Sequence, residues 1–243
     1  MTELEKQPEM VLCIPGPWKT HSELVQSIVK DSGGYIFAGR VLLHMESHFS
    51  CELIHERADP NMSRAFYAAG PHWRGSVEMQ RIGSHESVVY LVGRGGSRDA
   101  AQKLMQCGLG LLNAGGLGVK IESTGLAHSP DDWRSYCGDF DSFTAHRALV
   151  VYLTGAEVHS CGMHNLGLPD ALTPGGKDQA TAVELLRVFT WYLFAEGPVI
   201  NNGQTFSVAA GAPIYRITDH PGWDYGPDSL FTNPYGAWRL VPT

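Results

Sequence analysis

Three residues able to support nucleophilic chemistry fall close together: His159, Cys161 and His164. A cysteine beside a histidine is the smallest unit that can make a thiolate nucleophile, and Asp170 has the chemistry to orient an imidazole. A thiolate also needs an electropositive setting. Apart from the two histidines, nothing nearby in the chain supplies one. A hydrolase or transferase using Cys161 with His159 or His164 is therefore one reading. A buried thiol among hydrogen-bonded histidines is the plainer one, and no residue is assigned a catalytic role on sequence grounds.

Other clusters carry less. His44, His48, Cys51 and His55 have zinc-binding side chains. On strands only positions of equal parity share a face, and their spacing fits no common zinc module, so ordinary strand and turn residues are expected and no metal is assigned. The run Gly93-Arg94-Gly95-Gly96-Ser97 sits between a strand-like and a helix-like segment. Its amides could hold an anion with help from Arg94 or Arg98, but it lacks the Lys-Ser/Thr of a P-loop, and a tight turn is simpler. In His128-Ser129-Pro130-Asp131-Asp132-Trp133 the residue types of a triad occur side by side. They read better as a helix start, with Ser129 as N-cap, Pro130 in the first turn and Trp133 packing below. No cofactor is implied anywhere.

The acidic residues Asp131, Asp132, Asp139 and Asp141 stand among the aromatics Trp133 and Tyr136. A mixed acidic and aromatic surface suits a contact face against a basic protein. These six residues are the expected partner-binding set.

The elements that must position these groups are legible in outline. Residues 10–14 read as a first strand. Thr20 with Glu23 three residues on is a capping-box start for a helix ended by Gly33-Gly34. Residues 35–45 and 48–55 read as strands, 59–69 as a short helix and 88–92 as a buried strand. A helix over 97–114 and a strand over 118–122 follow, and residues 126–143 look like a loop. Strands over 148–153 and 156–163 precede a helix at 178–196, closed by Gly197-Pro198, and strands over 204–209 and 213–218 end the body. The tail from 219 carries Trp223, Tyr225, Phe231, Tyr235 and Trp238, too many large rings for a disordered segment, and should pack on the body. The interleaved order predicts an α+β fold, with helices on one face of mainly antiparallel sheet. Residues 8–218 are expected to form one compact domain, with possible halves at 8–125 and 145–218.

With 43% hydrophobic and 18% charged residues among 243, the chain has the composition of a packed globule. Its net charge of −7 disfavours nucleic acid and anionic membrane as partners. The five cysteines are widely spaced without a Cys-x-x-Cys, as in a reduced, cytoplasmic protein. The first residues are polar and read as neither signal nor anchor. Oligomeric state is left open.

The densest element is Ser160-Cys161-Gly162-Met163-His164-Asn165-Leu166-Gly167-Leu168-Pro169-Asp170. At least one of Gly162 and Gly167 is expected at positive φ in a tight turn, with Pro169 a fixed exit, Asp170 an acceptor of loop N–H groups, and Leu166 and Leu168 buried. This stretch, together with Ala114-Gly115-Gly116-Leu117-Gly118-Val119-Lys120-Ile121-Glu122 and its continuation through Gly125 to Trp133, resembles the bacterial domains of unknown function catalogued as DUF4261. The resemblance supplies no catalytic residues. It implies association with toxin–immunity and type VI secretion neighbourhoods. The expectation is a cytoplasmic immunity protein that occludes a cognate toxin or effector; a secretion-system adaptor or scaffold is a further alternative.

Overall fold

The computed structural model of the chain describes residues 7–138, 141–176, 178–226 and 228–243. These residues divide into two compact units, one of residues 9–94 and 99–138, the other of residues 7–8, 95–98 and the described residues from 141 on. Both combine helices with mainly antiparallel sheet, an α+β architecture.

The first unit carries strands β1 (Glu9–Gly16), β2 (Tyr35–Ala38), β3 (Val41–His44), β4 (Ser50–Arg57), β5 (Ser87–Arg94), β6 (Val119–Ile121) and β7 (Ala127–His128). Its helices are α1 (His21–Asp31), α2 (Met62–Ala68), α3 (Val77–Ile82), α4 (Arg98–Asn113, all but its first residue) and α5 (Pro130–Gly138). The strands form one antiparallel sheet in the order β2-β3-β4-β5-β1-β6-β7. Thr20 caps α1 by accepting the Glu23 N–H, and Glu23 reaches back to the Lys19 N–H. The sequence predicts one strand over 35–45. Gly39, at φ 63°, instead folds it into the β2–β3 hairpin, because an L side chain rarely adopts that turn conformation. The loop predicted over 126–143 holds β7 and α5, whose N-terminus is set by the Ser129 cap.

Central strand β1 is buried on both faces. Leu12 packs toward Gly108 of α4, while Cys13 and Val88 join Met62, Phe66, Trp73 and Ile82 on the opposite side. Helices therefore cover both faces around β1 and β5. Toward β2 and β3 one face stays uncovered.

The second unit has α6 (Ser142–Leu149), β8 (Val151–Leu153), β9 (Glu157–Cys161), a 3-10 turn (Met163–Leu166), β10 (Asp170–Pro174), α7 (Gln179–Glu196), β11 (Thr205–Phe206), β12 (Tyr215–His220) and β13 (Ala237–Pro242). Its sheet runs β11-β12-β13-β10-β9-β8, antiparallel except for β10 beside β13. Asp178 caps α7 by accepting the Thr181 N–H, and Gly197 in the left-handed region ends it. Helix α7 lies over β9 and β10, with α6 beside it. The tail contributes β13 to the sheet and sets Trp223 against His159. No helix among the described residues is long and apolar enough to cross a membrane.

Candidate functional site

Strand β9 stops at Cys161, two residues before the predicted 163, because Gly162 takes φ 118° and starts the 3-10 turn. Gly167 closes that turn at φ 81°. A β-carbon on Gly167 would stand 2.3 Å from the Gly96 carbonyl oxygen. The Gly96 N–H in turn donates to the Asn165 oxygen and the Gly95 N–H to the Pro8 oxygen, so the amides considered for an anion are already spent on the backbone. Leu166 is buried as predicted, whereas Leu168 is half-buried. Pro169, also half-buried, leads into β10.

Asp170 is the hub. Its Oδ1 accepts from the Ser160 hydroxyl at 2.8 Å and from the Met163 N–H at 3.4 Å, and its Oδ2 accepts from Asn233 Nδ2 at 2.7 Å. The same Asn233 amide donates to the Leu168 oxygen, tying the tail to the turn. The donors are thus the turn itself, a neighbouring strand and the tail, and not the loop before α7 as the sequence suggests. Burial pushes the Asp170 carboxyl up to about 6, against the three hydrogen bonds.

The thiol chemistry finds an unfavourable setting here. Cys161 is 2% exposed, and burial and the nearby Asp170 charge push its thiol up to about 12. His164 is wholly buried, and burial brings it down to about 4. Neither of its ring nitrogens makes a hydrogen bond; the Leu230 backbone lies near enough to oppose the shift weakly but outside bonding geometry. His159 projects to the same side of β9 as Cys161, where it stacks on Trp223 at 4.2 Å, and burial lowers its pKa. No thiolate is stabilised in this environment.

The expected partner-binding set does not make one surface. Trp133 is 0% exposed with its Nε1–H bonded to the Met105 oxygen, so it is a core residue and cannot touch a partner. Asp131 and Asp132 are exposed in the first turn of α5, where Asp131 pairs with Arg134 and Asp132 accepts from the Ser129 hydroxyl. Tyr136 is half-buried, edge-on to His128. Asp141 belongs to the other unit and caps α6 with a capping box through Thr144, whose bonds hold its carboxyl below the usual range. Asp139 lies outside the described residues. These acids serve helix starts. In the 44–55 region, His44 bonds Ser47, His55 meets His21, and Cys51 is buried. Among the described residues no group of three or more His, Cys, Asp or Glu side chains is placed to hold a metal.

A cleft of about 740 Å³ opens between α6, β8 and α7. Phe143, Val150, Val188 and Trp191 form its apolar walls, and His146, Arg147, Tyr152 and Arg187 line the rest. At its base the His146 Nε2 lies 2.9 Å from the Thr190 hydroxyl, and the Tyr152 hydroxyl lies 2.7 Å from the same atom. The Tyr152 hydroxyl also lies 3.2 Å from the His146 Nε2, closing a triangle of three polar groups, and the Thr190 hydroxyl reaches the Leu186 carbonyl at 2.8 Å. Burial and the Arg187 charge hold the His146 pKa down to about 4, so the ring is neutral at pH 7. Arg187 is paired with Glu184, while Arg147 is exposed and has no ion pair among the described residues. Sequence reading missed this site because its residues lie on three elements, up to 48 positions apart between Phe143 and Trp191. The one local signal is the i, i+3 and i, i+4 spacing of Phe143, His146 and Arg147 on α6 and of Arg187, Thr190 and Trp191 on α7.

The other open feature is the β2–β3 end of the seven-stranded sheet. Register places Ile36 opposite Leu43 and Ala38 opposite Val41, all on one face. Ile36, Val41 and Met45 are 36%, 49% and 54% exposed. Strand β2 is also an edge, with its outer backbone groups unpaired in the sheet.

Set beside known proteins, the chain matches no family model, no curated protein and no solved structure.

Proposed function

We propose that the chain is a binding protein that masks another protein: an immunity protein that occludes a cognate bacterial toxin in the cytoplasm. The observation that carries this reading is the uncovered apolar end of the sheet. A contiguous apolar patch beside an open edge strand costs solubility and invites pairing unless a partner covers it. Ile36, Val41, Leu43 and Ile54 share that face, and Glu52 and Glu56 project from it as well. Arg40 neutralises Glu52, and Glu56 has no ion pair among the described residues. Together with a net charge of −7, this favours a basic partner and an association rate that drops as salt rises. The proposed kinship of residues 114–133 and 161–170 with the DUF4261 domains belongs to the same reading and rests on those residues alone.

Co-expression with the products of adjacent genes tests it. One neighbour should be toxic alone, tolerated with this chain, and copurify with it. Val41→Asp and Ile36→Asp, at exposed positions, should weaken that complex at least about tenfold with Tm nearly unchanged. Should no neighbour be toxic or copurify, or should the complex survive both substitutions, the proposal falls.

A further inference from the structure

We propose that the α6–β8–α7 cleft is a binding site for a small organic anion: a carboxylate or phosphate monoester with an apolar or planar body. This site is independent of the sheet face and stands or falls without it.

Its size comes first. About 740 Å³ is within the usual range for small-molecule sites, roughly 300–1,000 Å³. Its walls are apolar on two sides, and Trp191 and Phe143 remain 38% and 51% exposed at the cleft. A flat or aliphatic body placed between them would remove both rings from water.

The polar groups then specify the rest of the ligand. Arg147 has no carboxylate partner among the described residues, and Arg187 stands on the adjoining helix wall. Arg187 is held by Glu184 on its own helix, so the unspent charge is that of Arg147; with no acidic side chain lining the cleft among the described residues, that charge selects an anion. At the base, the His146 Nε2 lies within hydrogen-bond distance of both the Thr190 and the Tyr152 hydroxyls, which hold the imidazole still. The ring is neutral at pH 7, so it adds no charge of its own beside the anion.

Indole-3-acetate joins a planar body and a carboxylate, and indole-3-acetamide is its neutral counterpart. Titration calorimetry on the full chain should show saturable one-site binding of indole-3-acetate, with the amide at least about tenfold weaker. Arg147→Ala, at an exposed position without an ion pair among the described residues, should weaken the acid about tenfold and leave the amide unchanged. Val188→Phe, which fills the cleft from a half-buried position, should abolish binding of both. The proposal is overturned if acid and amide bind alike, or if Arg147→Ala leaves the acid's Kd where it was. It is equally overturned if neither indole-3-acetate nor phenyl phosphate saturates up to about 10 mM. Should Val188→Phe fail to fold, the acid–amide comparison and Arg147→Ala still decide.

Discussion

Asp170 and His146 sit in the same unit, 3% and 5% exposed, each at the centre of a polar network, and the networks differ in what they leave unused. Asp170 has three donors from the turn, from strand β9 and from the tail, and does not line the α6–β8–α7 cleft. His146 spends one nitrogen on Thr190 and Tyr152 and keeps the other, at the base of a 740 Å³ cleft beside Arg147, which has no ion pair among the described residues. A saturated buried network holds chain segments in register. An unsaturated one that meets solvent is where a ligand can complete the bonding. The apparent specificity of the 162–170 sequence thus reflects backbone geometry, and the plainer-looking α6 and α7 surfaces carry the chemistry.

The largest effect expected from this contrast is at Gly167. Valine there meets both a left-handed φ of 81° and a carbonyl oxygen 2.3 Å from its β-carbon. Urea unfolding should show a loss of roughly 3–5 kcal/mol, from backbone strain and overpacking together. A loss below about 1 kcal/mol would mean the turn is not the clasp described.

Next comes Asp170→Asn. The folded carboxyl titrates at about 6 against 3.8 for an unperturbed one, so the native state holds its proton more tightly. Wild-type stability from this group is present at low pH and declines as pH rises from about 4 to 6. Asparagine has no such slope, so the variant should gain on wild type by about 3 kcal/mol across that window. Parallel pH profiles would show that the carboxylate is not sealed, and the contrast with His146 would lose its basis.

His146 runs the other way. Its folded pKa is about 4 against 6.5 unfolded, so its contribution is complete above pH 6.5 and is lost as pH falls toward 4. His146→Gln should remove about 2 kcal/mol of acid sensitivity, less than the full shift because the ring borders an open cleft. His164, with the same direction of shift, keeps part of the acid sensitivity in that variant.

Smaller still is Thr190→Val. Its two partners, His146 and Tyr152, can turn to water at the cleft, so the cost should be about 1 kcal/mol. Arg147→Ala should change stability by less than about 0.5 kcal/mol, since the side chain is exposed and has no ion pair among the described residues. An unfolding midpoint that drops strongly in Arg147→Ala would make that residue structural and sharpen the search elsewhere.

What the residues disclose without a structure is local. Thr20 with Glu23, Asp178 before a helical apolar run, and Gly197 after it mark helix ends, because caps and left-handed glycines act over a few positions. Alternation and interleaved order were sufficient for the α+β class. Of Gly162 and Gly167 at least one was expected at positive φ, because glycine takes it without steric cost, and both adopt it. Tertiary structure alone decided what those elements do. Parallel pairing of β13 with β10 joins residues 67 positions apart, Asp170 with Ala237, and no local preference encodes such a partner. The burial of Trp133, the hub role of Asp170 and the meeting of His146 with Thr190 across 44 positions follow from packing, which depends on every neighbour at once and leaves no spacing to be read in the chain.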